Sequence, residues 1–395
     1  MKSILLISQN FYPEIGSAAN RMKNIFNHLV DHGYDVYILT TQPSYPNEKM
    51  YKDEKYWNDE RLNNVPDNRV IRLAMRHEKQ KKSMSSRLYY YIEFMLKVHY
   101  FVKHTEKYFD LIYVTSPNIF APWGTLFLQR DITTNKTILE IRDLWPDSVS
   151  ALDKMNIDIF MPMLRLMEKR MYRNAKKIVV NNMSFIPHIQ KYVKNKDFLF
   201  LPNAINDEEL NLRPKKAAFS VVYTGNLGFA QDNKQLEEIA VALNKNKIPF
   251  NAIVYGIHAN DFRRFVDEQQ LEYVNVFETL PKSECLSFTS EHHVALSILK
   301  QSEVFMNVLP GKVIDALCME VPVVTNLGGF TQALIQDYEV GINIESASTE
   351  ELVEAILTYK DDPFILRRHT ENTKKIRSEI FRWETNIHKL MDFIS

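Results

Sequence analysis

Glycine is scarce in this chain. There are 10 glycines in 395 residues, whereas soluble proteins contain about 7% glycine. Gly225, Gly228, Gly311, Gly328 and Gly329 nevertheless lie in second-half loops where a strand-like run meets a helix-like run. Glycine lets a ligand approach the backbone, and a helix N-terminus offers unsatisfied N–H donors with partial positive charge. These loops therefore suit a phosphate or a diphosphate.

Cysteine and long apolar runs are also scarce. The two cysteines, Cys285 and Cys318, cannot form a disulfide framework, which favours the reducing cytosol. No apolar run approaches the roughly 18 residues that a bilayer-spanning helix needs. The N-terminal run MKSILLIS is too short for a signal peptide and is interpreted as a first core strand. We therefore expect a cytoplasmic protein.

The net charge is zero, but the charge is unevenly distributed. Residues 1–202 contain 30 Lys and Arg against 21 Asp and Glu, a net charge of +9, and residues 203–395 carry −9. The basic excess is densest in residues 76–107, with eight basic residues against three acidic ones. No nucleic-acid-binding signature accompanies this charge, so a nucleic-acid partner is not expected. An anionic membrane surface or a phosphorylated substrate fits better.

Short apolar, β-branched runs alternate with longer segments whose apolar residues recur at helical spacing. The predicted strands are residues 3–8, 35–40, 69–74, 111–115, 137–141 and 177–181 in the first half, and 220–224, 250–255, 274–277, 294–299, 321–326 and 340–344 in the second. This alternation predicts an α/β protein with parallel sheets covered on both faces. Two such series in tandem predict two Rossmann-like domains facing each other.

The predicted domain boundaries follow from where the periodicity stops. The first domain covers residues 1–202 and the second covers 219–376, joined by a linker at 203–218 that carries prolines and charges. Residues 377–395 form a last amphipathic helix, which either packs on its own domain or crosses back to the first. Residues 42–68 make a long polar loop, and such loops are usually functional or partly disordered.

Three glycine-bearing loops follow or face predicted strand ends, where open α/β sheets bind their ligands. They are SQNFYPEIGS at 8–17, GNLGFAQ at 225–231 and PGK at 310–312. Each is weak evidence separately. Together, in two tandem domains, they predict a ligand-binding cleft.

Several motifs along the whole chain resemble one family. They are NFYPEIGSAANR at 10–21, HGYDVYILT at 32–40, EIRDLWPDS at 140–148, GNLGFAQ at 225–231, LPGKVIDALCMEVPVV at 309–324, GGF at 328–330 and VGINI at 340–344. The chain resembles the retaining nucleotide-sugar glycosyltransferases of GT-B fold, family 4, in particular the bacterial branch that builds O-antigen and capsule sugars. The resemblance implies two Rossmann-like domains with parallel sheets facing across an inter-domain cleft, the donor on the C-terminal domain and the acceptor on the N-terminal one.

The resemblance also implies roles for single residues. Gly16 matches the glycine that approaches the donor diphosphate, and Arg142 stands where many relatives have a histidine near the donor sugar. The family's acid pair, E-x7-E, falls on Asn307 and Asp315. Asp315 can still accept hydrogen bonds from the ribose hydroxyls. Asn307 can hydrogen-bond the transferred sugar but carries no charge, so it is a poor candidate for a base.

A second departure concerns the cations that neutralise the leaving diphosphate. The positions where many relatives carry Arg and Lys are Asn226 and Gln231 here. Lys312, beside Gly311 at the predicted helix start, is the candidate replacement, with help from Arg142 or Arg21. The alternative is a solvated first-turn lysine, which is unfavourable at the positive end of a helix.

The remaining residues of the predicted donor site are those of the glycine loops and one apolar residue. These are Gly225, Gly228, Gly311 and Leu280.

No metal or other cofactor is expected beyond the nucleotide-sugar co-substrate. The sequence contains no D-x-D, and it has no His or Cys cluster at ligand spacing, since His292 and His293 are adjacent. The diphosphate would then be stabilised by N–H groups and cations. Asp143 or Asp147 could orient the acceptor hydroxyl, and the alternative for each is a helix N-cap, which we favour for Asp147.

Residues 87–104, RLYYYIEFMLKVHYFVKH, mix aromatic, aliphatic and basic side chains at helical spacing. Such a helix can lie on the anionic inner leaflet of the cell membrane. The alternative is a domain helix whose apolar side belongs to the core. Family acceptors are often polyprenyl-diphosphate-linked saccharides, which agrees with the membrane interpretation.

The sequence therefore predicts a metal-independent retaining glycosyltransferase that moves a sugar, most simply a UDP-hexose or UDP-N-acetylaminosugar residue, to a lipid-linked or saccharide acceptor in bacterial surface-polysaccharide synthesis. Two alternatives stay open: a GT-B-type sugar-nucleotide epimerase, and a non-catalytic nucleotide-sugar-binding subunit. A nicotinamide dehydrogenase is the weakest alternative, because no G-x-G-x-x-G follows the first strand.

Overall fold

A computed structural model describes residues 2–44, 47–66, 68–77, 84–126, 137–150 and 160–395. By its internal contacts the chain divides into two compact units. Unit 1 consists of Met1–Leu201 together with Ile387–Ser395, and unit 2 consists of Pro202–Asn386.

Unit 1 is built on a seven-stranded parallel sheet in the order β3-β2-β1-β4-β5-β6-β7. The strands are β1 (Ser3–Ile7), β2 (Asp35–Thr41), β3 (Val70–Leu73), β4 (Leu111–Thr115), β5 (Thr137–Ile141), β6 (Lys177–Val180) and β7 (Phe198–Phe200). The register pairs Ile4 with both Val36 and Leu111. Because β1 pairs with β2 on one side and β4 on the other, the strand order reverses beside β1, which is where ligands of open α/β sheets bind.

The helices of this unit cover a sheet whose central strands are buried on both faces. They are α1 (Ser17–Asp31), α2 (Glu60–Asn63), α3 (Met84–His104), α4 (Phe120–Leu126), α5 (Asp147–Ser150), α6 (Met161–Asn174) and α7 (Phe185–Gln190). Every residue of β1, β4 and β5 is buried, as expected for parallel strands with helices on both sides. Burial on both faces explains why these strands are near-continuous apolar runs in the sequence.

Unit 2 contains a six-stranded parallel sheet in the order β10-β9-β8-β11-β12-β13. The strands are β8 (Val221–Asn226), β9 (Phe250–Tyr255), β10 (Val274–Phe277), β11 (Val294–Ser297), β12 (Val323–Thr325) and β13 (Gly341–Asn343). Here the order reverses beside β8, which pairs with β9 and β11. The loops after β8 and β11 therefore share the ligand-binding edge of this sheet.

The helices of unit 2 fall between these strands and after them. They are α8 (Asn233–Lys245), α9 (Ala259–Glu268), α10 (Lys282–Ser290), α11 (Glu303–Met306), α12 (Gly311–Cys318), α13 (Gly329–Tyr338), α14 (Thr349–Asp361) and α15 (Pro363–Glu379). The last helix, α16 (Trp383–Ile394), contributes residues to both units. The single helix expected over residues 377–395 is thus wrong at its start, because α15 ends at Glu379 and α16 begins at Trp383.

The predicted α/β class with parallel sheets is confirmed. Each of the twelve predicted strands is present, with ends that differ by at most two residues. The prediction missed β7, a three-residue strand at the edge of the sheet. Within the part of the chain that the structure describes, no helix is both long and apolar enough to cross a membrane.

Candidate functional site

Lys312 lies in the first turn of α12, beside the end of β8. Its Nζ donates a hydrogen bond of 2.6 Å to the hydroxyl oxygen of Tyr223 and lies 3.8 Å from the centroid of that ring. A Cβ atom at Gly225 would stand 3.4 Å from the Cε of Lys312 and 3.7 Å from its Nζ. Gly225 also has φ +127°, which side chains rarely adopt. The glycine therefore leaves the space that the lysine occupies.

The ammonium of Lys312 has a hydrogen-bond partner, Tyr223, that carries no charge. No carboxylate pairs with Lys312 within the described ranges, and its side chain is half-buried. Burial lowers the pKa of Lys312 to about 7. Burial also raises the pKa of Tyr223, so the phenol stays protonated. Since an unpaired buried charge is unfavourable, an anion bound beside Lys312 would stabilise its charged form.

The N-terminus of α12 is open. Its N-cap is Pro310, no side chain caps it, and its first turn contains no acidic residue. A Cβ atom at Gly311 would have no neighbour within 4 Å. An open helix N-terminus with a lysine in its first turn offers N–H donors and a cation to the same anion.

The amides that stand in for the two expected cations stabilise their own loop. Gln231 accepts a 2.8 Å hydrogen bond from the N–H of Gly228 through Oε1. The side chain of Asn226 fills the space beside two glycines: its Oδ1 would stand 2.0 Å from a Cβ at Gly256, and its Nδ2 2.8 Å from one at Gly228. The N–H of Gly228 is therefore occupied by Gln231 in this structure.

Asp315 lies one turn after Lys312 and forms an ion pair with Lys282, the first residue of α10. Burial would lower the pKa of Lys282, but the charge of Asp315 outweighs it and the pKa is raised. Leu280 precedes α10 and is partly exposed. The ion pair thus holds Asp315, the predicted ribose-binding acid, against the start of α10, two residues after Leu280.

Asn307 follows α11 and lies against the N-terminus of α13. Its Oδ1 would stand 2.1 Å from a Cβ atom at Gly329, whose φ is +57°. The backbone N–H of Gly328 donates to the carbonyl of Met306, 3.0 Å away. The Asn307 side chain is thereby fixed beside the loop that leads from β12 to α13.

In unit 1, Glu140 on β5 is the centre of a buried network. It accepts hydrogen bonds from Arg21 Nε at 2.8 Å and from the Tyr113 hydroxyl at 2.5 Å. Arg21 also donates to the carbonyl of Leu201 and is 1% exposed. Burial opposes ionisation of Glu140, but the charges of Arg21 and Arg142 lower its pKa. Arg21 is thus a structural residue, and the expectation that it could help to bind a diphosphate is wrong.

Arg142 lies just beyond the end of β5 and is fixed through one nitrogen. Its Nε donates to Thr115 Oγ1 at 2.8 Å and to the carbonyl of Ser116 at 3.0 Å, and it lies 3.6 Å from Glu140 Oε2. Its two terminal nitrogens form no hydrogen bond to another described residue, although only 11% of the side chain is exposed. Burial lowers the pKa of Arg142 and raises that of neighbouring Asp143. The terminal nitrogens of Arg142 therefore form a second group of cationic donors that a ligand could bind.

Gly16 is the N-cap of α1, with φ +143° and ψ +159°, a conformation close to glycine-only. The loop before it is held by the segment that follows β2: the N–H of Ile15 donates to the Tyr51 hydroxyl at 3.0 Å, and that of Asp59 to the Tyr12 hydroxyl at 2.8 Å. The described parts of the long loop at 42–68 are thus packed onto the loop that carries Gly16.

Asp147 does not cap a helix. It is the first residue of α5 and forms an ion pair with Arg165. Arg165 also pairs at 3.0 Å with Glu168, which accepts from His188 Nε2 at 2.7 Å. The predicted N-cap is therefore wrong, and Asp147 belongs to a charged cluster that ties α5, α6 and α7 together.

The adjacent histidines have separate structural partners. His292 is buried and bonds Asn251, and burial lowers its pKa to about 4. His293 lies against Ser220. Across the described ranges no three His, Cys, Asp or Glu residues are grouped to hold a metal ion.

Sequence reasoning missed Tyr223, Lys282 and Tyr51. Tyr223 follows two buried valines on β8 and is buried itself, so its sequence context is that of an ordinary core residue. Lys282 and Tyr51 act through partners far away in sequence, which no local pattern reveals. The i, i+2 relation of Tyr223 to Gly225 was the one available signal, because it places both side-chain positions on the same face of β8.

No model of a known protein family matches the chain, and no curated protein sequence matches it. Solved structures do match. Sucrose-phosphate synthase from Thermosynechococcus elongatus is 15% identical with a TM-score of 0.73, covering 100% of this chain and 98% of its own. WaaG, a glycosyltransferase of lipopolysaccharide biosynthesis, is 13% identical with a TM-score of 0.68, covering 99% of each chain. HepE from Anabaena, solved with UDP, is 12% identical with a TM-score of 0.69, covering 100% and 99%. The chain has the GT-B fold of these enzymes.

Proposed function

We propose that this protein is a glycosyltransferase that transfers a sugar from a nucleoside diphosphate donor to a saccharide acceptor. The observation that carries the proposal is the ammonium of Lys312, which lies beside Gly225 at the open N-terminus of α12 and has no carboxylate partner among the described residues. A nucleoside diphosphate is the leaving group of this reaction, and its negative charge grows as the bond to the sugar breaks. A cation and N–H donors fixed in advance stabilise that charge most in the transition state.

UDP is the proposed nucleotide. HepE, which has the same fold, was solved with UDP and with UDP-glucose, and TarM was solved with UDP. Asp315 would accept hydrogen bonds from the ribose, with Lys282 holding its carboxylate in place, and Leu280 would contact the base. The transferred residue would be a hexose or an N-acetylaminosugar.

The proposed reaction retains the configuration of the sugar by front-face displacement. The bond between the anomeric carbon and the diphosphate oxygen breaks, and its electron pair leaves with the phosphate. The acceptor oxygen bonds to the anomeric carbon from the same face, and its proton passes to the departing phosphate oxygen. This route needs no strong side-chain base, in agreement with an amide at Asn307. Metal independence stays a prediction.

Arg142 and Asp143 are the proposed ligand-binding residues of unit 1. Arg142 is fixed through Nε, so its two terminal nitrogens can donate to a ligand without moving the side chain. Asp143, whose pKa burial raises, would orient the acceptor hydroxyl. Gly16, the N-cap of α1, would offer the backbone donors of that helix start to an anionic ligand of unit 1.

We further propose that the acceptor is a lipid-linked saccharide of bacterial surface-polysaccharide synthesis, reached at the inner membrane leaflet. Helix α3 exposes Leu88, Tyr89, Leu96 and Tyr100. Arg87 and Lys103 are exposed on the same helix. Exposed aromatic and aliphatic side chains flanked by basic ones suit an anionic bilayer surface.

The test is a panel of nucleotide sugars incubated with membrane lipid extracts carrying polyprenyl-linked saccharides. UDP release that depends on the extract, together with a product of added sugar mass, supports the proposal. An isomerised sugar formed from the donor without any acceptor would show an epimerase instead.

A non-catalytic nucleotide-sugar-binding subunit is the second candidate, because Asn226, Gln231 and Asn307 are amides where charged groups were expected. Two of these amides, Asn226 and Gln231, stabilise their own loop. UDP binding without transfer or donor hydrolysis above background, with every donor of the panel, would establish this candidate.

A further inference from the structure

Two adjacent glycines at the end of the β12 loop make room for two polar side chains. A Cβ atom at Gly329 would stand 2.1 Å from Asn307 Oδ1, and a Cβ atom at Gly328 would stand 2.5 Å from Glu345 Oε1. The Glu345 carboxylate thus lies directly over Gly328, one residue from the backbone that Asn307 contacts. In a chain with 10 glycines, the pair brings a carboxylate and an amide to the same helix N-terminus.

The backbone that carries Glu345 is fixed. Glu345 follows β13, and the next residue, Ser346, has φ +57°. The N–H of Ser346 donates to the carbonyl of Asn326 at 3.0 Å, and its own carbonyl accepts from Gln301 Nε2 at 2.9 Å. A non-glycine residue with this φ persists only where its surroundings impose it, and such positions cluster at functional sites.

Glu345 itself is exposed and forms no ion pair or hydrogen bond with another described residue. A purely structural role is available, because α13 has no acidic residue in its first turn and no side-chain cap. A carboxylate there stabilises the positive end of the helix. That role would suit an acid anywhere near the helix start and does not explain why Asn307 lies against the adjoining glycine.

We propose that Glu345 supplies the carboxylate that Asn307 lacks and accepts hydrogen bonds from hydroxyl groups of the transferred sugar. The inference rests on the proposed function and on the expectation, implied by the family resemblance, that Asn307 hydrogen-bonds the transferred sugar. Sugar hydroxyls are donors, and their hydrogen bonds to a carboxylate are about twice as strong as those to a neutral amide. Asn307 and Glu345 would then hold the sugar together, one as a neutral partner and one as a charged one.

The test compares wild type with Glu345→Gln, which keeps the shape of the side chain over Gly328 and removes its charge. Titration calorimetry with UDP and with UDP-glucose, UDP-galactose and UDP-N-acetylglucosamine measures how much affinity the sugar adds. We expect UDP affinity to stay within twofold. The gain that the sugar adds should be lost, with a 10- to 100-fold fall in kcat/KM, the range of a hydrogen bond to a charged group. Glu350→Gln, in the first turn of α14, is the matched control and should change neither value.

A rescue experiment separates binding from helix stabilisation. Asn307→Glu added to Glu345→Gln should restore the lost sugar affinity, because it returns a carboxylate beside the adjoining glycine, Gly329. Unchanged sugar affinity in Glu345→Gln would overturn the inference, as would a parallel fall in UDP affinity and Tm. A wild type that gains no affinity from any of the sugars would also overturn it. The proposed function fails separately, when the wild type binds these donors and neither transfers nor hydrolyses the sugar.

Discussion

The Nζ of Lys312 donates a 2.6 Å hydrogen bond to the hydroxyl of Tyr223, two residues before the glycine whose missing side chain leaves room for it. The two residues are 89 positions apart in sequence. Their contact turns a lysine at a helix start into a fixed, half-buried cation, and most of the predictions below follow from it.

Replacing Lys312 by alanine should lower kcat by about 100- to 1,000-fold, the range found when one group that stabilises transition-state charge is removed. The fold should survive, because Lys312 has no ion pair to lose within the described ranges and an unpaired buried charge is itself unfavourable. Steady-state kinetics and a thermal melt check both statements. Lys234→Ala on α8, an exposed lysine, is the control. Wild-type kinetics in Lys312→Ala would remove this residue from the mechanism.

UDP affinity should depend on pH through Lys312. Its pKa is about 7 without ligand, and a bound diphosphate should raise it. The affinity is then constant below pH 7 and falls above it, by up to about tenfold per pH unit until the pKa of the complex is reached. Calorimetry at pH 8 in buffers of different ionisation enthalpy should show proton uptake on binding. Lys312→Arg should abolish this uptake, and uptake that persists in that variant would assign it to another group.

The same pKa shift predicts how folding stability changes with pH. Burial lowers the pKa in the folded state, so between about pH 7 and the ordinary lysine pKa near 10.4 the unfolded chain binds more protons at this residue. Stability at this position therefore rises with pH across that window. Denaturant unfolding of wild type and Lys312→Met at pH 7 and pH 9 isolates the contribution, and a pH-independent difference between the two would contradict it.

Alanine substitutions at two glycines of the site should differ in their effect on folding stability. At Gly225, with φ +127° and Lys312 at 3.4 Å, it should destabilise the fold by about 1–3 kcal/mol and weaken UDP binding. At Gly311, where the space is open, it should leave stability unchanged or raise it by about 0.4–1 kcal/mol, while the added methyl group hinders the diphosphate. Chemical denaturation and UDP titration of both variants test this pair. Equal destabilisation at both positions would show that the close contact at Gly225 has no special role.

Substitution of Glu140 should mainly lower folding stability, whereas substitution of Arg142 should mainly lower activity. Glu140→Gln removes the negative charge that Arg21 and Arg142 share and should destabilise the protein by about 3–5 kcal/mol, as found when one partner of a buried pair is lost. Arg142→Gln leaves the pair of Arg21 and Glu140 intact and should lose activity with a much smaller change in stability. Urea unfolding and transfer assays distinguish the two, and full activity in Arg142→Gln would exclude it from the site.

Membrane contact through α3 predicts vesicle binding. The double substitution Leu96→Ser and Tyr100→Ser should weaken binding to phosphatidylglycerol vesicles, because it removes two exposed apolar side chains from the basic helix. Co-sedimentation measures the effect, with Val241→Ser on α8 as a control for an exposed apolar residue elsewhere. Equal binding of the double variant and wild type would direct the search for a lipid contact to another surface.

Local patterning determined most of the fold. The central strands are buried on both faces, so they are continuous apolar runs that stand out in the sequence. Strand β7, a three-residue strand at the edge of its sheet, was missed. The positions of Gly225, Gly311 and Lys312 at strand ends and helix starts were likewise visible, since glycine is rare and these loops occur where the periodicity changes.

What each polar side chain does was decided only by the tertiary structure. Arg21 and Glu140 meet across 119 residues and remove Arg21 from any ligand site. Gln231 takes up the N–H of Gly228, and Glu345 reaches Gly328 from another strand end. The physical reason is that periodicity reports burial, whereas charge pairing and hydrogen bonding depend on which distant elements the sheet order places side by side.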